Sequence, residues 1–120
     1  MPLNTKSFIN TLIQNHYTHL CVVPCSFAKN VINEAINNDG IEYLPAASEA
    51  VACSIAAGLK MAGKKPIVIV QSSGLTNMAS CITSLLKPYG VTFQFSPVGA
   101  LTRMVIVKYN TSIWLPSCQH

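Results

Sequence analysis

The sequence predicts an α/β fold, an open parallel sheet in three layers with helices on both faces. Three observations carry that expectation. Strand-like runs begin near residues 20, 41, 66 and 91, a recurrence that suits repeated strand–helix–strand units and parallel pairing through right-handed crossovers. The run PIVIV (66–70) is apolar throughout and rich in β-branched residues, as a strand buried on both faces must be. Between the strand-like runs lie segments with apolar residues at helical spacing.

In chain order, SFINTLIQNHY places Phe8, Leu12, Ile13 and Tyr17 on one helical stripe. HLCVVP reads as the first strand, ended by Pro24. Ser26 is placed to cap a helix over FAKNVINEAINN, with Val31, Ile32, Ala35 and Ile36 as its apolar face. Asp39–Gly40 turns the chain into a second strand, IEYLP. The helix SEAVACSIAAGLKMAG follows, with Ser48 as its cap and Gly63 to close it. After PIVIV comes a polar turn, QSSGLTN, then a helix over LTNMASCITSLLKPY stopped at Pro88, and VTF as a fourth strand.

The composition narrows the function. Half of the 120 residues are apolar and a tenth are charged, which suggests a surface made for a partner chain or domain. The net charge of +4 does not indicate nucleic-acid binding: the lysines are scattered, only Lys64 and Lys65 are adjacent, and no aromatic-interleaved basic stripe is present. The longest apolar runs fall far short of the roughly 20 residues that span a bilayer, and the first residues lack the pattern of a signal peptide, so a cytoplasmic location is expected. The five cysteines include no C-x-x-C pair, so neither a zinc site nor a disulfide framework is indicated; Cys21, Cys53 and Cys81 read as reduced apolar fillers. His16 and His19 read as surface residues near the end of the first helix.

Glu49 is the candidate acid–base residue. A glutamate in the first turn of a helix is favoured by the macrodipole by about 0.3–1 kcal/mol and needs no function. Its neighbours AAS and AVACSIAAG, however, offer no cation, and a carboxylate in an apolar setting is costly without a partner. Both Glu49 and the QSSGLTN turn fall where strands hand over to helices, the edge at which open parallel sheets bind ligands.

The blocks VPCSFAKNVIN, EYLPAASEAVACSIAAGLKMAGKKPIVIVQSSGLTN and ITSLLKPYG resemble, in order and spacing, the N-terminal pyrimidine-binding half of the thiamine-diphosphate decarboxylases acting on phosphonopyruvate and sulfopyruvate. The resemblance covers Phe8 to Val91. It implies a Rossmann-like domain in which Glu49 hydrogen-bonds N1' of the cofactor's aminopyrimidine ring and relays a proton, in an apolar pocket. It also implies that Pro24, Cys25 and Ser26, together with Gln71, Ser72, Ser73, Gly74 and Asn77, line the cofactor and substrate pocket. Ser72 stands where Asn is usual in the family, Thr76 where Gly is usual, and Cys25 where Asp is frequent.

The resemblance further implies that magnesium and the diphosphate are held elsewhere, on a diphosphate-binding domain or β subunit. The four acids Glu34, Asp39, Glu42 and Glu49 leave none beyond residue 49, so no metal site is expected within the chain. A homo- or hetero-oligomer is implied, with an anionic 2-oxo acid as substrate and little activity for this half alone. Two other functions stand beside this one, a non-catalytic α/β partner and a different ligand-binding module.

Residues 1–92 are thus expected to form an incomplete pyrimidine-binding domain, and residues 93–120, FQFSPVGALTRMVIVKYNTSIWLPSCQH, an atypical tail. Permissible codons for that tail, read one base earlier, can give PIFSSWRTYKDGDSEIQHLHLATKLP, which looks like the segment the family has there. The Met104–Val105 junction must give Gly in that frame. The expectation is a frameshift near Phe93 to Phe95; its rival is a native fifth strand over MVIVKY.

Overall fold

The structure, a computed structural model, describes residues 4–98 and 107–108. Helix α1 is Thr5–Gln14, opened by Asn4, whose side chain accepts the Ser7 N–H at 3.1 Å. Its buried stripe is Phe8, Ile9 and Leu12. The helix stops because His16 takes φ +67°, so that the His16 and Tyr17 N–H groups reach back to the Ile13 and Leu12 carbonyls. Tyr17 therefore lies beyond the helix, off the expected stripe.

Strand β1 is His19–Val22. A 3₁₀ turn, Ser26–Ala28, leads into helix α2, Lys29–Ile36, and no side chain caps either. Ser26 is thus the first residue of that turn and not a cap. Val31 and Ala35 are buried on α2, but Ile36 is 59% exposed and drops out of the expected apolar face.

Strand β2, Glu42–Pro45, precedes helix α3, Glu49–Met61. As the sequence predicted, Ser48 caps α3 by accepting the Val51 N–H, and Gly63, at φ +83°, ends it in the left-handed region. Strand β3 is Pro66–Gln71, with Pro66 through Val70 buried. Burial of each such Val or Ile contributes on the order of 1.5–3 kcal/mol.

After β3 the chain is helical but irregular. A 3₁₀ stretch, Ser72–Met78, runs into a single α turn, α4 (Ala79–Cys81), and then a π turn, Ile82–Leu86. The expected tight turn plus regular helix is therefore one continuous helical segment of changing pitch. The fourth strand, β4, is Gln94–Val98, later than the VTF run expected; Val91 and Phe93 are buried ahead of it. A two-residue strand, β5 (Val107–Lys108), lies within MVIVKY. The remainder of the tail, including Trp114, Cys118 and His120, lies outside the described residues.

The sheet order is β2-β1-β3-β4-β5. Strands β1 to β4 are parallel, as expected, and β5 adds an antiparallel edge against Gln94 and Phe95. Alternation along the strands feeds two cores. Leu20, Val22, Ile67 and Ile69 meet α1 and α2 on one face. Cys21, Val68, Val70 and Phe95 meet Ala52, Cys53, Ala56 and Ala57 of α3, with Met78, Cys81 and Leu86, on the other. The three-layer α/β architecture follows. The small residues of α3 let the helix lie close on the sheet.

Candidate functional site

Because β1, β2 and β3 are parallel, the chain after each emerges at one edge of the sheet. From β1 the chain passes to β2 on one side, whereas β3 lies on the other, so the order reverses between β1 and β3. Open α/β sheets place ligands at that reversal, outside the carboxyl ends of the strands. Pro24–Ser26 follow β1 there, Gln71 ends β3 and Ser72–Asn77 follow it, with Glu49 opening α3 after β2.

Glu49 is half-buried in the first turn of α3, where the helix N-terminus favours its negative charge. The partner that its sequence neighbours do not offer comes from a distant segment. The Asn77 side-chain amide donates to Glu49 Oε2 at 3.0 Å, across 28 residues of sequence. Because the carboxylate only accepts, the contact fixes which way the Asn77 amide faces. The other carboxylate oxygen lies against Gly74: a methyl group in place of the glycine hydrogen would overlap Oε1 and come within 2.6 Å of Cδ. Gly74 is buried, and only a residue without Cβ admits the carboxylate there. These two contacts set an amide on one carboxylate oxygen and backbone against the other. Among the described residues, these contacts on Glu49 include neither a cation nor a second acid.

The structure thus brings three of the candidate residues together: Glu49, Gly74 and Asn77. Ser73 is exposed on the same 3₁₀ stretch, and Gln71 ends β3 half-buried. The side chain of Ser72 lies outside the described residues. Pro24, Cys25 and Ser26 line a different cavity of about 370 Å³, completed by Lys29, Ile32, Asn33 and Tyr43, and none of the Glu49 cluster lines it. Lys29 and Asn33 were not singled out in the sequence. Their one-turn spacing on α2 was visible, but only β1–β2 pairing sets Tyr43 opposite Leu20 and beside the turn.

His19 is not a surface residue either. It opens β1, its Nδ1 lies 2.7 Å from Thr18 Oγ1, and its Nε2 lies 3.2 Å from Glu42 Oε2. A further cavity of about 240 Å³, lined by Tyr17, Lys60, Lys65, Pro66, Thr92, Phe93 and Gln94, opens where β3 and β4 begin, at the opposite edge from Glu49. Among the described residues, no group of three His, Cys, Asp or Glu could hold a metal ion, and no helix is long and apolar enough to cross a membrane.

The sheet, parallel from β1 to β4, and the carboxylate at its switch-point edge define an α/β domain whose ligand edge carries Glu49. Comparison with known proteins narrows the class. Residues 5–99 match the family described as thiamine pyrophosphate enzyme, N-terminal TPP binding domain. The chain belongs to that family. It is 34% identical over 82 residues to the sulfopyruvate decarboxylase subunit alpha of Methanocaldococcus jannaschii, covering 68% of this chain and 48% of that one. It is 39% identical over 71 residues to the phosphonopyruvate decarboxylase of Streptomyces viridochromogenes, covering 59% of this chain and 18% of that one. A further sulfopyruvate decarboxylase subunit alpha, from Methanococcus maripaludis, is 32% identical over 69 residues. The chain spans about half the length of the alpha subunits it matches and about a fifth of the phosphonopyruvate enzyme.

Proposed function

We propose that this chain is the pyrimidine-binding half of a thiamine-diphosphate-dependent decarboxylase of an anionic three-carbon 2-oxo acid, phosphonopyruvate or sulfopyruvate, and that a diphosphate-binding domain or β subunit completes its site. The observation that carries the reading is the Glu49 carboxylate, fixed by Asn77 and Gly74 at the ligand-binding edge of the sheet.

The residues present fit an aminopyrimidine. A carboxylate with one oxygen engaged by an amide keeps acceptor capacity for a ring N–H, and the close approach at Gly74 sets its direction. When bound, thiamine diphosphate supplies the electron sink that lets a 2-oxo acid lose carbon dioxide. Glu49 then holds and returns one proton at its free carboxylate lone pairs, while Asn77 keeps the group from turning away. Gln71 and Ser73 offer polar side chains along the same strand end.

The diphosphate and magnesium fall to the partner, since magnesium takes carboxylate oxygens alongside phosphate and Glu49 is the last acid in the chain. Val51, 43% exposed, and Leu75, 40% exposed, stand two residues from Glu49 and Asn77 and give that partner an apolar footing beside the site. The relatives named as alpha subunits favour a separate chain in that role. Alone, this half binds the cofactor weakly and is inactive. In the same reading, a frameshift near Phe93 to Phe95 gave residues 93–120 their present form; source DNA whose codons do not yield the alternative reading ends that part of the proposal.

The test is titration of thiamine diphosphate and magnesium, with and without a diphosphate-domain partner, followed by carbon dioxide release from both keto acids. Release is expected only with the partner, and Glu49→Gln lowers it by on the order of 10²-fold or more. A partner that binds while Glu49→Gln changes nothing would favour a non-catalytic α/β partner instead.

A further inference from the structure

The Glu49–Asn77 contact has a neighbour one helical turn deeper. Cys53 follows Glu49 by four residues and Cys81 follows Asn77 by four, so the two pairs are successive contacts between the same two segments. The Cys81 thiol faces Cys53 with the sulfurs 2.7 Å apart, and Ser54 Oγ lies 3.8 Å from Cys81 Sγ. Both thiols are free; Cys53 is fully buried, whereas Cys81 keeps 8% exposure. Burial alone accounts for each as a small apolar residue. It does not account for the two facing each other across a helix pair. A disulfide bond is about 2.05 Å long, so closure asks the sulfurs to approach by about 0.7 Å.

We propose that Cys53 and Cys81 form an oxidative modification site, a dithiol that hydrogen peroxide converts into a disulfide joining α3 to α4. Cys81, the member with residual exposure, gives its proton to solvent and its sulfur attacks one peroxide oxygen. The O–O bond breaks, hydroxide leaves and takes up a proton as water, and Cys81 is left as a sulfenic acid. The Cys53 sulfur then attacks the Cys81 sulfur. The S–S bond forms, the S–O bond breaks, and the departing hydroxide leaves with the Cys53 proton as a second water. Two electrons pass in all from the two sulfurs to the two peroxide oxygens. Burial, and then the adjacent Cys81, push the Cys53 thiol pKa well up, which keeps Cys53 protonated until that second step. The inference stands on packing alone and holds whatever ligand the strand ends take.

The test uses the full chain, reduced, desalted and treated with a few equivalents of hydrogen peroxide. Intact mass should fall by about 2 Da, and unreduced peptide maps should join the peptides bearing Cys53 and Cys81. The melting temperature should rise by about 10 °C, as expected for closing a loop of this length in a domain of this size, and dithiothreitol should reverse both changes. Cys53→Ala and Cys81→Ala should each abolish the link and the rise. Peroxide that oxidises Cys25 while Cys53 and Cys81 stay alkylatable on denaturation overturns the proposal, as does a cross-link through any other pair. Differential alkylation of the unaltered chain gives that answer even if a variant fails to fold.

Discussion

Helix α3 and the helical segment after β3 face each other across the site, and they are built in opposite ways. Helix α3 is regular over 13 residues, capped by Ser48 and closed at Gly63. The 72–86 segment changes from 3₁₀ to α to π pitch, and Gln71, which precedes it, makes no side-chain cap. The regular helix presents the carboxylate; the irregular one supplies what fixes it, a glycine that lets the backbone approach and an amide that donates. A single-turn change in pitch re-aims side chains that a uniform helix would distribute around its axis. The carboxylate is thus placed by a regular helix and held by an irregular one.

Gly74→Ala is the sharpest way to break this arrangement. The new methyl meets the far end of a flexible side chain, so the fold should persist with its melting temperature little changed, while Glu49 is displaced. Carbon dioxide release by the partnered protein should fall by on the order of 10²-fold, the scale of a misplacement near 1 Å. Unchanged turnover would show that Gly74 does not position the carboxylate.

High pH should weaken the face on which α3 packs. Burial raises the Cys21 thiol from 9.0 to about 12 and raises Cys53 likewise. The unfolded chain then loses protons from about pH 9 while the folded chain keeps them, so stability is full below pH 9 and falls as pH rises toward about 12. Urea midpoints across that range check the slope, and Cys21→Ala should flatten it.

The two segments should also differ in their response to loss of the residue at the cap position. Ser48→Ala removes an acceptor for the Val51 N–H and should cost about 1 kcal/mol, a fall in melting temperature of about 4–8 °C. Gln71→Ala removes no cap and should change melting much less. Smallest is Gly58→Ala: the position is exposed within α3 and open space surrounds the added methyl, so the helix should gain about 0.5–1 kcal/mol. Together with Gly74→Ala, it separates a glycine that only weakens a helix from one that admits a neighbour.

The features legible in the sequence were local ones. Ser48, Glu49 and Gly63 announced α3 because capping and helix closure act within three or four residues. The apolar run PIVIV announced β3 because a strand buried on both faces needs no alternation. Two of the differences involve partners far away in sequence. The sequence places His19 on the surface at a helix end, yet it pairs with Glu42 on the neighbouring strand. VTF reads as the fourth strand, but pairing with β3 begins at Ile67 opposite Gln94. At Ser26 the difference is local: the residue suits a helix cap, but the chain leaving β1 first makes a 3₁₀ turn.

The order of alternating strands and helices, the residues that open and close α3, and the singling out of Glu49 were determined by the chain's own local chemistry. The reversal of strand order between β1 and β3, the Asn77 amide on Glu49, the Gly74 backbone behind it and the Cys53–Cys81 contact were decided only in the folded molecule. Hydrophobic period and capping are set by neighbours along the chain. The direction in which a half-buried carboxylate points is set by which distant segment packs against it, and that contact exists only once the sheet has aligned α3 with the chain that follows β3.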